Sequence, residues 1–111
     1  MRFEIILAPQ AVRDLRRLRA NVRAAVQAAI ERHLRHEPAK TSKSRIKRLR
    51  GLSRPQYRLR VDEVRVFYDL MENTVQVLAI VVKSEAEAWL REAGERETSP
   101  EEEADEESGA V

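Results

Sequence analysis

The chain has 111 residues, 42% of them hydrophobic and 36% charged, with no cysteine and a formal net charge of +2. One domain with a modest core is the expectation at this length, and the lack of cysteine excludes a disulfide framework or a Cys-based metal site. No run approaches the roughly 18 apolar residues of a membrane span, and Met1–Leu7 lacks a signal-peptide layout, so the reading is a cytoplasmic protein that does not engage a membrane.

Residues 2–7, "RFEIIL", suit a strand, which Ala8-Pro9 breaks. Proline is well placed in a helix's first turn, and Val12, Leu15 and Leu18 then fall on one stripe of a helix over Pro9–Ala20. Asn21 suits the cap of a second helix, in which Val22, Val26, Ala29, Ile30 and Leu34 repeat at helical spacing. That helix is expected to end near Glu37, ahead of Pro38. Residues 38–53 read as a basic connector carrying Lys40, Lys43, Arg45, Lys47, Arg48 and Arg50. Three strands are expected next. Residues 56–61 and 64–70 form a hairpin, and 74–82, "TVQVLAIVV", is apolar on both faces like a central, doubly covered strand. A short helix over 84–93 follows, with Ser84 and Glu87 in capping-box spacing. The predicted class is α+β, in the order β-α-α-β-β-β-α: a small, mostly antiparallel sheet packed against an α-helical hairpin.

The net charge hides a split. Residues 1–91 hold 20 of the 21 Lys and Arg and 10 of the 19 Asp and Glu, a net +10; residues 92–111 hold one and nine, a net −8. We therefore divide the chain into a folded domain, 1–91, and an acidic tail, 92–111, with too little apolar content to order itself. The tail suits either a solubilising end or a nucleic-acid mimic that screens the basic body.

A turn centred on Asp62-Glu63 pairs Val61 with Val64, Arg60 with Arg65, Leu59 with Val66, Arg58 with Phe67 and Tyr57 with Tyr68. Side chains alternate along a strand. Leu59, Val61, Val64, Val66 and the tyrosines then share one face, while Arg58, Arg60, Arg65 and Phe67 share the other. Like charges opposed across a sheet are destabilising, so three arginines there call for an anion. Guanidinium forks match phosphate oxygens, and rings or guanidinium planes stack bases. The alternative is a solvated face neutralised by Asp14, Asp62, Glu63 or Asp69.

The element order, with "RLRG" at 48–51, "YRLR" at 57–60 and "VRVFY" at 64–68, resembles the RelE/ParE superfamily of bacterial toxins over about residues 2–91. The resemblance implies a toxin silenced by a cognate acidic antitoxin. Its RelE branch cuts messenger RNA in the ribosomal A site, and its ParE branch inhibits DNA gyrase without nuclease chemistry; a third case is a decayed toxin that only binds its antitoxin. In the RelE branch two sheet lysines, an arginine of the next strand, and a C-terminal arginine and tyrosine carry catalysis. The lysine positions fall on Arg58 and Arg60, and the next-strand arginine on Arg65. The last two fall in "KSEAEAWL", which offers Lys83 but neither arginine nor tyrosine.

Cutting RNA through its 2′-hydroxyl needs a base, cations for the crowded phosphate and an acid for the leaving oxygen. Arginines supply the cations but do not lose a proton at ordinary pH. A lysine among cations suits the base, with Lys83 the first candidate and Lys47 the second. The expected catalytic set is Arg58, Arg60, Arg65 and Lys83, and the expected RNA-binding set is Lys47, Arg48, Arg50 and Phe67. No cofactor or metal is expected: His33 and His36 lack a third ligand. Trp89 reads as a core anchor.

Overall fold

The computed structural model describes residues 1–97. Residues 98–111, on which most of the expected tail falls, lie outside the described residues. Strand β1 (Glu4–Leu7) leads into helices α1 (Pro9–Arg17) and α2 (Ala20–Leu34); then come β2 (Ile46–Arg48), β3 (Leu52–Arg54), β4 (Tyr57–Val61), β5 (Val64–Met71), β6 (Thr74–Val82), α3 (Lys83–Ala93) and β7 (Glu95–Arg96). The main sheet runs β1-β6-β5-β4-β2, and β3 with β7 forms a second, two-stranded sheet. Among the described residues only β1 and β6 pair in parallel. The α+β expectation holds, with β2, β3 and β7 added to it.

The hairpin register is as the alternation dictates: Tyr57 with Tyr68, Arg58 with Phe67, Leu59 with Val66, Arg60 with Arg65, Val61 with Val64. Its turn places Asp62 at φ 51°, a left-handed conformation that aspartate tolerates better than most residues. β6 lies between β1 and β5, as its apolar run requires. One sheet face carries Leu59, Val66, Tyr68, Val75, Val77 and Ile80 against Ala11 of α1 and Val26, Ile30 and Leu34 of α2. These α2 residues stand four apart and form one stripe. Ile46 of β2 joins the same core opposite Leu59.

Several boundaries differ from the sequence expectation, most of them where a group from outside the helix supplies a bond. Asn21 does not cap α2; it lies inside the helix, and Arg19 holds the cap position without a side-chain bond. Arg23 instead reaches back, its Nη2 donating to the carbonyls of Leu18 at 2.9 Å and Arg16 at 3.4 Å, so the end of α1 is closed by α2. α2 ends at Leu34 because the Arg35 carbonyl accepts from Phe3 N at 2.7 Å and the Arg35 guanidinium donates to the Phe3 carbonyl at 3.0 Å. Ser84 makes no capping bond: α3 starts one residue earlier, with Lys83 N donating to the Glu63 carbonyl at 2.7 Å. The chain also stays ordered past residue 91. Gly94 follows α3 because a Cβ there would sit 2.5 Å from the Leu90 carbonyl oxygen, and β7 then pairs with β3.

Candidate anion-binding face

The second face of the sheet is only half covered. α3 crosses it over β5 and β6, where Trp89 stacks on Phe67 with ring centroids 4.9 Å apart. Phe67 is 0% exposed. Its ring was expected to stack bases; the returning helix closes it off, so it serves packing, and Trp89 is its lid. β4 and β2 remain open, and the basic residues gather there.

Directly opposed residues of neighbouring strands share a face, with Cβ atoms about 5 Å apart. Arg60 lies opposite Arg65, and Lys47 of β2 lies opposite Arg58. Arg58, two residues from Arg60, is the centre of a cationic group of four. Its surroundings are unusual. The side chain is half-buried, Nε is buried without a hydrogen-bond partner, and Nη2 reaches only the Ser44 carbonyl at 3.4 Å. Burial first, then Arg65 and Arg60, push the Arg58 pKa down. It stays a cation, since guanidinium does not lose its proton at ordinary pH.

Arg60 is exposed. Arg65 is 6% exposed and folds onto its own turn, Nη1 donating to the carbonyls of Asp62 at 2.7 Å and Val64 at 3.1 Å. Part of its donor capacity is thus spent on the hairpin.

Counter-charges do not converge on this group. Among the described residues the ion pairs are Arg35–Glu31, Lys40–Glu37 and Arg54–Asp69, and no carboxylate lies within 4.0 Å of Lys47, Arg58, Arg60 or Arg65. Asp14 is spent on Ile80 N at 2.9 Å, and Asp69 on Gln56 N at 2.8 Å. Burial raises the Asp69 pKa against these bonds.

The remaining sequence candidates divide. Lys83 is exposed at the first turn of α3, held beside the β4–β5 turn through the Glu63 carbonyl. Arg48 pairs with Tyr57 and so points to the opposite face, its guanidinium 5.2 Å from the Tyr57 ring centroid and bonded to the Gln56 carbonyl at 2.8 Å. Arg50 is exposed in the loop after β2. Tyr68, a potential proton donor, is sealed in the core: its hydroxyl donates to the Pro38 carbonyl at 2.6 Å, and burial pushes its pKa up. Lys47, expected within a connector, lies instead on β2, whose only signal in the sequence is Ile46 followed by Lys-Arg. Among the described residues no three metal-ligating side chains converge, and no helix is long and apolar enough to cross a membrane.

A family model described as the ParE toxin of type II toxin–antitoxin system, parDE, matches residues 5–89. No curated protein matches the chain. Among solved structures it is similar to the RelB–RelE antitoxin–toxin complex from Methanococcus jannaschii, at 19% identity and a TM-score of 0.60 over 76% of this chain and 96% of that one. The RelE–RelB complex from Pyrococcus horikoshii matches at 21% identity and 0.61, over 75% and 97% of the two chains. The RelBE2 toxin–antitoxin complex from Mycobacterium tuberculosis matches at 24% and 0.59, over 74% and 99%. At these identities the likeness is one of fold.

Proposed function

Because the chain belongs to the ParE toxin family of type II toxin–antitoxin systems, we propose that its open cationic face acts on RNA phosphate, cutting messenger RNA on the ribosome. The observation that carries this reading is the group of Lys47, Arg58, Arg60 and Arg65, with no carboxylate within 4.0 Å among the described residues. A preorganised set of cations stabilises the charge that builds on a phosphate as a fifth oxygen approaches.

In this reading Arg58 and Arg60 hold the non-bridging phosphate oxygens, and Arg65 stiffens the hairpin beneath them. The 2′-hydroxyl loses its proton to an amine, its oxygen attacks phosphorus, and the 5′ oxygen leaves with a proton. In the same reading Lys47, directly across from Arg58, takes the base role that the sequence gave first to Lys83, and Lys83, by the β4–β5 turn, gives the leaving oxygen its proton. Arg50 guides the flanking backbone, while Arg48, turned to the opposite face over Tyr57, takes no part in this grip. An acidic antitoxin, bound across this face and the helical hairpin, would silence the toxin by charge complementarity.

Primer extension on messenger RNA translated by purified ribosomes tests the reading. Cuts at A-site codons are expected with ribosomes, not without them, and not with Arg58→Ala. No cuts from a folded, growth-arresting protein would overturn it.

A second reading, inhibition of DNA gyrase without cleavage, is favoured by the burial of Tyr68 against Pro38: no phenol reaches the cationic face from the sheet. Loss of supercoiling activity in a gyrase assay, with messenger RNA intact, would establish it.

A further inference from the structure

Glu97 N donates to the Gly51 carbonyl at 3.0 Å, so the chain leaves the described structure beside the loop that carries Arg50. An open depression of about 480 Å³ lies there, lined by Thr41, Ser42, Ile46, Lys47, Arg48 and Arg50. Its three cations are exposed and, among the described residues, none has a carboxylate within 4.0 Å. Lys47, Arg48 and Arg50 fall within four residues, so like charges crowd there and repel; Arg48 is partly offset by the Gln56 carbonyl and by the Asp69 carboxylate.

The segment that begins at this exit has the opposite charge. Residues 98–111 hold six carboxylates, Glu101, Glu102, Glu103, Asp105, Glu106 and Glu107, and no Lys or Arg. Glu101 stands four residues beyond Glu97, a span of at most about 14 Å. Arg50 and Lys47 stand one and four residues from Gly51 along the chain, so the reach matches. The link is short, so the carboxylates are held near the cations at an effective concentration of order millimolar. Sequence at the segment, backbone at the exit and charge in the depression agree.

We infer that Glu101–Glu107 dock in cis on the depression formed by Lys47, Arg48 and Arg50, occupying it as a polyanion would. The contact is electrostatic and screened by salt. Lys47 belongs both to this depression and to the group around Arg58, so docking competes with any polyanion that reaches across β2. The inference stands on charge and position and does not depend on whether RNA is cut.

The test uses the full chain, whose freedom from cysteine permits a single nitroxide on Ser108→Cys. In 15N spectra at about 50 mM salt, the amides of Lys47, Arg48 and Arg50 should broaden, and at about 1 M salt they should recover. A variant with the five glutamates changed to Gln and Asp105→Asn should show no such broadening. It should also bind a deoxythymidine 12-mer about tenfold more tightly at low salt, with the difference vanishing at high salt. Absence of broadening at low salt would overturn the inference. So would broadening that appears equally in 15N chains mixed with nitroxide-labelled chains, which would mean contact between copies, or equal 12-mer affinities for the two chains. Broadening with no 12-mer binding by either chain would support the docking while telling against the RNA reading.

Discussion

Lys47 stands directly across the β2–β4 ladder from Arg58, on the face that α3 leaves open. The pair brings an amine to a guanidinium whose Nε is buried without a hydrogen-bond partner. Such a group is costly in the absence of an anion. Arg58→Ala should therefore abolish growth arrest while leaving the melting temperature unchanged or slightly raised, by a change of about 0–1 kcal/mol in stability, since like-charge repulsion from Arg60 and Arg65 is relieved. Growth assays alongside thermal melts check this, and a large drop in melting temperature would show that Arg58 is structural.

Arg65 is expected to behave differently, although it sits on the same face. Its Nη1 ties the Asp62 and Val64 carbonyls. Arg65→Ala removes both bonds from a buried side chain and should cost about 1–3 kcal/mol. Urea titration measures it. Loss of toxicity in this variant is thus ambiguous by itself, and Arg58 is the cleaner probe of the proposed anion site.

The contrast between β4–β6 and β2 indicates what the sequence could carry. Alternation over Tyr57–Val61 and Val64–Val66 determines the hairpin's face and register locally, and the apolar residues of β6 mark it as a central strand; both are found as read. The arginine cluster follows from the same register. β2 is three residues long, with two of them basic and exposed; it is a strand because Ile46 finds Leu59, a contact no local pattern encodes. The helix ends failed for a related reason. Asn21 falls inside α2 rather than at its start, and at α3 the Glu63 carbonyl, brought close by the fold, accepts the Lys83 N–H one residue before Ser84. Phe67 was assigned to its correct face, and only the return of α3 reveals that Trp89 covers it.

Trp89 closes the covered half of the arginine face. Trp89→Ala should expose Phe67 and cost about 3 kcal/mol, toward the lower end for a large aromatic that retains some exposure. Because α3 also continues into Gly94 and β7, the variant should lose protection of the β3–β7 pair first. Hydrogen exchange at Leu52 and Arg96 reads this directly; unchanged protection there would mean that β7 holds independently of the Phe67–Trp89 stack.

The Tyr68 hydroxyl gives the core a pH signature. It donates to the Pro38 carbonyl at 2.6 Å, and burial, with Tyr57 beside it, raises its pKa above the ordinary tyrosine value. A raised folded-state pKa means that the protonated phenol is favoured by folding. Its contribution is complete below the unfolded value of about 10 and is lost as the pH rises above it. Stability should therefore fall in alkaline solution, with a component that Tyr68→Phe removes. The same variant should be less stable by about 1–2 kcal/mol at neutral pH, where the Pro38 carbonyl loses its donor, and its growth arrest should persist, because the hydroxyl faces away from the cationic group. Urea unfolding of both proteins between pH 7 and pH 11 separates the two effects: parallel curves across that range would show that the hydroxyl does not titrate with unfolding, and loss of toxicity in a stable Tyr68→Phe protein would place the phenol in the chemistry after all.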